Sequence, residues 1–196
     1  MKILITGFKP FNNEKINPSA QLLSELDINF NNYEINTLLL DVLYQKDSER
    51  LLAKIKELKP DYVLMLGQAG GRNCISLEYC ALNIRNASIP DNHGKLITHE
   101  KIKENGPLAY NTNIDIENLL QLDPNIKISY NCGTFICNDI YYNTLDLIYS
   151  NNLSIKCLFI HIPYIYEQVL DKNPNTPFMK LNEIKHIIYK LIDKLK

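Results

Sequence analysis

Three stretches, KILITGF (2–8), YVLML (62–66) and SIKCLFIHI (154–162), are apolar at nearly every position. A strand with one face in water alternates apolar and polar residues, so a run that does not alternate is covered on both faces. Between these runs lie segments with helical spacing. DSERLLAKIKELK (47–59) sets Leu51, Leu52, Ile55 and Leu58 on one face, and Pro60 stops it. Residues 136–149 repeat through Ile140, Thr144, Leu147 and Ile148, and 179–196 through Leu181, Ile184, Ile188, Leu191 and Leu195. Asn17-Pro18-Ser19 has the chemistry of a helix start, with Asn17 as the cap and Pro18 in the first turn. Residues 33–42, 76–84 and 126–130 read as further strands. Strands alternating with helices predict an α/β fold: one mostly parallel twisted sheet between two helical layers, a three-layer α/β/α sandwich. No linker or repeat divides the chain, so 1–196 reads as a single domain, with 86–113 as a long loop or flap.

In such sheets ligands collect beyond the carboxyl ends of strands. GFKPF, GQAGGR, SYNCGTFIC and FIHIPY all follow strands there and carry the polar and cysteine content of a shared site. The rest of the chain narrows the class. Net charge is −1 with Lys and Arg scattered, so there is no basic stripe for nucleic acid and no polybasic patch for a membrane surface. No apolar run approaches the ~18 residues of a membrane span. MKILITGFKPF reads as a first strand rather than an export signal, which makes the cytoplasm the expected compartment. The cytosol keeps thiols reduced, and five cysteines is an odd number, so a structural disulfide between Cys132 and Cys137 is not expected.

Cys132, Cys137, Cys157 and His161 have a zinc-like spacing, but Cys157 and His161 lie four apart on a strand. That separates them by roughly 13 Å at about 3.3 Å per residue, whereas zinc ligands sit about 2.0–2.3 Å from one point. No metal and no cofactor are therefore expected. A nucleophile fits better. Cys137 falls where loop 133–135 enters a helix, and the free N–H groups of a helix start stabilise a thiolate and receive an oxyanion. His161 is placed to act as its base. Glu78 interrupts the apolar run ISLEYCAL and is the candidate to orient the imidazole, since a buried carboxylate is costly unless paired. Each residue also has a plainer reading: a small core cysteine, a structural histidine, an edge-strand glutamate facing water. GQAGGR lacks the phosphate-loop pattern and reads as a tight turn that lets backbone approach a ligand.

Taken together and in order, these segments resemble the pyroglutamyl peptidase I family (pyrrolidone-carboxylate peptidases). ITGFKPF with NPS resembles its N-terminal signature, GQAGGRNCISLEYCALN its glutamate signature, SYNCGTFICN its cysteine signature and FIHIPYIYEQ its histidine signature, with IPDN at the expected place. The resemblance implies a cysteine peptidase with Glu78, Cys137 and His161 as catalytic residues. It also implies cytoplasmic location, no metal, no cofactor and often a homotetramer. The implied substrates are peptides with an N-terminal pyroglutamate, a neutral lactam. Phe8 and Phe11 match the family's ring-holding phenylalanines, and Gln68, Phe135 and Ile136 match positions near the ring. An apolar slot with a few amide partners suits an uncharged ring.

The chain also departs from the family pattern. Asn131 and Cys132 stand where small residues are usual, Tyr79 stands for a basic residue, and Asn12 and Asn13 stand for glycines. Ser88 stands for an arginine that serves the oxyanion site. Arg85, three residues earlier, faces the other way on a regular strand. Losing one oxyanion donor costs about 10²–10³ in rate, so a slowed peptidase is expected. Two rival readings follow from that loss: a weak or inactive homologue that binds pyroglutamyl peptides or small molecules, and a cysteine amidase for another amide.

Overall fold

The computed structural model describes residues 1–195; the last residue of the C-terminal helical run, Lys196, lies outside them. β1 (Lys2–Phe8), β2 (Glu34–Leu40), β3 (Tyr62–Gln68), β4 (Ile75–Glu78), β7 (Ile126–Ser129) and β8 (Lys156–Ile162) form one sheet in the order β2-β1-β3-β8-β4-β7. β1, β2, β3 and β8 are mutually parallel. β4 runs antiparallel to β8, and β7 follows β4 in parallel. The sheet is thus mostly parallel but mixed. The carboxyl ends of β4 and β7 therefore do not share the sheet edge of β3 and β8, and the cysteine loop has to cross back toward it.

The non-alternating strands do have two covered faces. On β8, Leu158, Ile160 and Ile162 point into a core shared with Leu22 of α1 (Pro18–Glu25) and with Ile184, Ile188 and Leu191 of α6 (Leu181–Lys194). Cys157 and Phe159 point the other way. They pack with Leu51 and Ile55 of α2 (Lys46–Leu58) and with Ile140, Tyr141 and Leu145 of α4 (Ile136–Ser150). The α1 start forms as expected: the Asn17 side chain accepts from Ser19 N–H at 3.0 Å.

Residues 76–84 do not form one strand. The chain leaves the main sheet at Tyr79, and β5 (Cys80–Leu82) pairs instead with β6 (Ala109–Asn111) as an antiparallel ribbon. Asn138 of α4 holds that ribbon. Its Oδ1 accepts from Leu82 N–H at 2.8 Å, and its Nδ2 donates to the carbonyls of Leu82 and Ile84 at 2.8 and 2.9 Å. A side-chain amide so takes the place of a neighbouring strand, which apolar periodicity does not reveal. Two short helices, α3 (Glu117–Leu120) and α5 (Tyr166–Val169), complete the elements.

The long loop is stapled by side chains rather than free. Asp91 accepts from the N–H groups of Tyr44, His93 and Lys95, and Asn92 Nδ2 donates to the carbonyls of Pro10 and Asp41. The loop thereby fixes the first-strand loop that carries Phe11.

Candidate active site

His161 lies near the end of β8 with Phe159 two residues before it on the same face, their rings 4.7 Å apart. Glu78 pairs with Phe159 across the antiparallel β4–β8 contact, so its carboxylate reaches His161 along the diagonal. Glu78 Oε1 and His161 Nδ1 are 2.7 Å apart, and both side chains are buried. Glu78 is thus an interior residue of a second-from-edge strand, not an edge glutamate facing water. An ionised carboxylate only accepts, so the imidazole donates Nδ1–H and keeps its lone pair on Nε2.

Cys137 is the second residue of α4, in its first turn. Gly133, at φ +78°, makes the left-handed bend that brings the loop around. Phe135, extended at φ −93°, supplies no side-chain cap, which leaves the first N–H groups of the helix available to an anion. Gly67 marks where the thiol arrives. A Cβ built there would sit 3.1 Å from Cys137 Sγ and 2.7 Å from the Phe159 ring. Gly67 is also the cross-strand partner of His161. The missing side chain on β3 is the space in which the thiol meets the face that carries the imidazole.

The electrostatics differ from a preformed ion pair. Burial, and then the nearby Glu78 charge, push the Cys137 thiol up to about 12, although the backbone N–H of the helix start pulls the other way. The thiol is enclosed even though the residue as a whole keeps some exposure. The helix start alone predicted a lowered thiol; in this site burial outweighs it. Burial likewise holds the His161 imidazole below its usual range, against the Glu78 hydrogen bond, which raises it. For Glu78, burial pulls upward, but the His161 bond with Ser129 and Arg72 brings the carboxyl below its ordinary value. The resting site is a neutral thiol and a neutral imidazole beside a carboxylate.

Of the sequence-derived slot residues, Phe8, Phe11, Phe135 and Ile136 belong to the same apolar cluster as Cys137. Phe8 and Ile136 are buried, and the Phe11 and Phe135 rings are 6.1 Å apart. Tyr44, which the sequence did not flag, meets Phe135 edge-on at 5.6 Å. Gln68 ends β3, and Gln168 Nε2 donates to its Oε1 at 2.7 Å. Gln168 is itself oriented by Ile165 N–H and the Ile16 carbonyl, so Gln68 keeps its amide nitrogen as a donor.

Two arginines matter. Arg85 is buried, with Nε 2.7 Å from Asp139 Oδ1 and Nη1 2.7 Å from Glu100 Oε1. It is committed to the first turn of α4, so it is not free for the oxyanion role that the resemblance assigns to the position of Ser88, an exposed residue. Arg72, in the β3–β4 turn, donates to Glu78 Oε1 at 2.7 Å.

Cys132 is buried, and its Sγ lies within 4.8 Å of donor atoms of Glu78 and His161. Arg72 presses a positive charge on this trio, and Arg72 and His161 share Glu78 Oε1, which disfavours a further cation there. Cys157 and His161 do share β8, the geometry that separates them as zinc ligands.

A family model described as pyroglutamyl peptidase matches residues 1–193. The chain belongs to the pyroglutamyl peptidase family. It is 46 % identical to the pyrrolidone-carboxylate peptidase of Brachyspira hyodysenteriae, over 91 % of this chain and 90 % of that one. It is 44 % identical to pyrrolidone-carboxylate peptidase 1 of Caldanaerobacter subterraneus subsp. tengcongensis, over 94 % and 92 %. The crystal structure of the pyrrolidone carboxyl peptidase of Fervidobacterium islandicum AW-1 superposes with a TM-score of 0.94 at 35 % identity, covering 100 % of this chain and 98 % of that one. Pyroglutamyl peptidase I of Bacillus amyloliquefaciens gives 0.91 at 34 %, covering 96 % and 93 %. The likeness to these pyroglutamyl peptidase structures spans both helical layers and the whole sheet, so the family's three-layer α/β fold is the fold of this chain.

Proposed function

We propose that this protein is a cysteine exopeptidase that removes N-terminal pyroglutamate from peptides, with Cys137 as nucleophile, His161 as base and acid, and Glu78 as the group that holds His161. The observation that carries this reading is the buried Glu78–His161 bond beside a thiol at a helix start, in a chain of this family.

The lactam ring enters the slot of Phe8, Phe11, Phe135 and Ile136, with Gln68 donating to one of its polar atoms. As Cys137 Sγ attacks the carbonyl that joins pyroglutamate to the next residue, its proton passes to His161 Nε2. The oxyanion is received by N–H groups at the start of α4. His161 then gives the proton to the departing amine, leaving a pyroglutamyl thioester on Cys137. Water, deprotonated by His161, hydrolyses it and frees the acid. No step calls for a metal or cofactor. The whole chain acts as one unit, and the resemblance extends the reading to a cytoplasmic homotetramer.

The test compares fluorogenic amides of pyroglutamate, proline and glutamate. Release from the pyroglutamyl amide alone supports the reading, because proline lacks the lactam carbonyl and both competitors carry an amino charge into an apolar slot. Equal release from all three, or none, overturns it.

A further inference from the structure

The turn between β3 and β4 carries a group that the reaction above does not use. Arg72 Nη1 lies 2.7 Å from Glu78 Oε1, the same oxygen that accepts from His161 Nδ1. Its Nη2 reaches toward the Asn131 carbonyl in the loop that leads to Cys137, at 3.5 Å. The turn is held in place: Arg72 N–H donates to the Ala69 carbonyl, and Gly70 packs so closely on Tyr164 that a Cβ there would meet the ring at 2.3 Å. The Arg72 side chain is about one-third exposed, while the Glu78 side chain it touches is fully buried.

We propose that Arg72 is a positioning residue for the Glu78–His161 pair: it keeps Glu78 ionised in a dry strand and limits how strongly Glu78 stabilises the imidazolium. The inference rests on the peptidase reading. Two donors converge on one carboxylate oxygen, so each draws on charge the other would use. A carboxylate serving His161 alone would hold the proton more firmly once it arrives from Cys137. Sharing that oxygen with a permanent cation leaves His161 a readier acid toward the departing amine. The groups around His161 are Glu78 from β4, Arg72 from the β3–β4 turn on the same Glu78 oxygen, and Cys132 from the β7–α4 loop, with Cys137 of α4 at the neighbouring Gly67 and the uncharged Phe159 ring on its own strand. Arg72 is the cation of that set and acts on His161 and on the Cys137 thiol in the same downward direction.

The experiment titrates the His161 imidazole by nitrogen NMR in wild type, Arg72→Gln, Arg72→Met and Arg72→Lys, beside pH profiles of pyroglutamyl-amide hydrolysis. Both neutral variants should titrate His161 at higher pH, and the acid limb of kcat/KM should move with it. At pH below both titrations kcat/KM should then fall about ten-fold, with KM little changed, for a shift of about one pH unit. Arg72→Lys should keep the titration near wild type. A purely structural tether would lower activity at every pH and leave the His161 titration in place, which overturns the proposal. An unmoved titration in whichever neutral variant folds also overturns it. Should wild type release no fluorophore while the titration still moves, the peptidase reading falls and the coupling of Arg72 to the pair stands.

Discussion

The Cys137 thiol and the His161 imidazole, brought to the same part of β3 and β8 at Gly67, are both held neutral because both are enclosed and the dry setting disfavours charge on either. In the proposed mechanism the active form needs an unprotonated imidazole, and that imidazole takes its proton only below the ordinary histidine range. kcat/KM for a pyroglutamyl amide should stay high as pH falls through 6.5 and decline only below it. It should show no basic inflection near the ordinary thiol value of 9.0. A preformed thiolate–imidazolium pair would instead lose activity on the alkaline side where the imidazolium deprotonates, so a basic limb at pH 8–9 contradicts the neutral pair. Ser88 bears on rate rather than on the pair. With Arg85 bound to Asp139 and Glu100, no arginine from this segment is left for the oxyanion. Ser88→Arg should raise kcat by about ten-fold or more, toward the 10²–10³ that one oxyanion donor supplies; an unchanged kcat would mean that the backbone N–H groups already suffice. Sequence reasoning singled out Glu78, Cys137 and His161 as candidates because each breaks a local pattern: a carboxylate in an apolar run, a thiol at a loop-to-helix junction, an imidazole at a strand end. Arg72 and Gln168 break none, since a polar residue in a turn or short helix is ordinary until its partner is seen.

At the scale of elements, α4 does three things at once. Its first turn carries Cys137, Asn138 pins the β5–β6 ribbon, and Asp139 receives Arg85. Asp139 is fully buried and also accepts from Ser48 Oγ at 3.0 Å, which ties α4 to α2. Removing one member of a buried ion pair leaves the other stranded, a cost of about 3 kcal/mol or more. Asp139→Ala should lower the urea midpoint accordingly and weaken activity through the turn that holds Cys137, while Glu100→Ala, at an exposed partner, should cost far less. Equal midpoints for Asp139→Ala and wild type would contradict the account. The helix itself was legible from Ile140, Thr144, Leu147 and Ile148. The breakup of residues 76–84 was not, because apolar periodicity does not say which strand a segment pairs with. Here an asparagine amide on a distant helix decides it.

For the whole molecule, non-alternating apolar runs predicted a sheet covered on both faces, and two cores, one on each face, are what the fold contains. Strand direction was less legible: β4 runs against β8, and that register sets Glu78 opposite Phe159, diagonal to His161. The buried imidazole also couples folding to pH. Its folded-state pKa lies below the unfolded value of 6.5. The unfolded chain therefore binds more protons on acidification, and stability present above pH 6.5 is lost as pH falls below it. Urea midpoints should drop between pH 7 and 5.5 in wild type and stay flatter in His161→Gln; parallel slopes would contradict the assignment of a buried neutral imidazole. The central claim is that of the two neighbouring thiols, Cys132 in the β7–α4 loop and Cys137 in the first turn of α4, Cys137 performs the chemistry and Cys132 does not. It is tested most directly by pyroglutamyl-amide hydrolysis in Cys137→Ala and Cys132→Ala measured side by side. The account predicts that Cys137→Ala abolishes thiol-dependent release while Cys132→Ala retains most of it. Comparable losses in both, or activity surviving in Cys137→Ala, would contradict it.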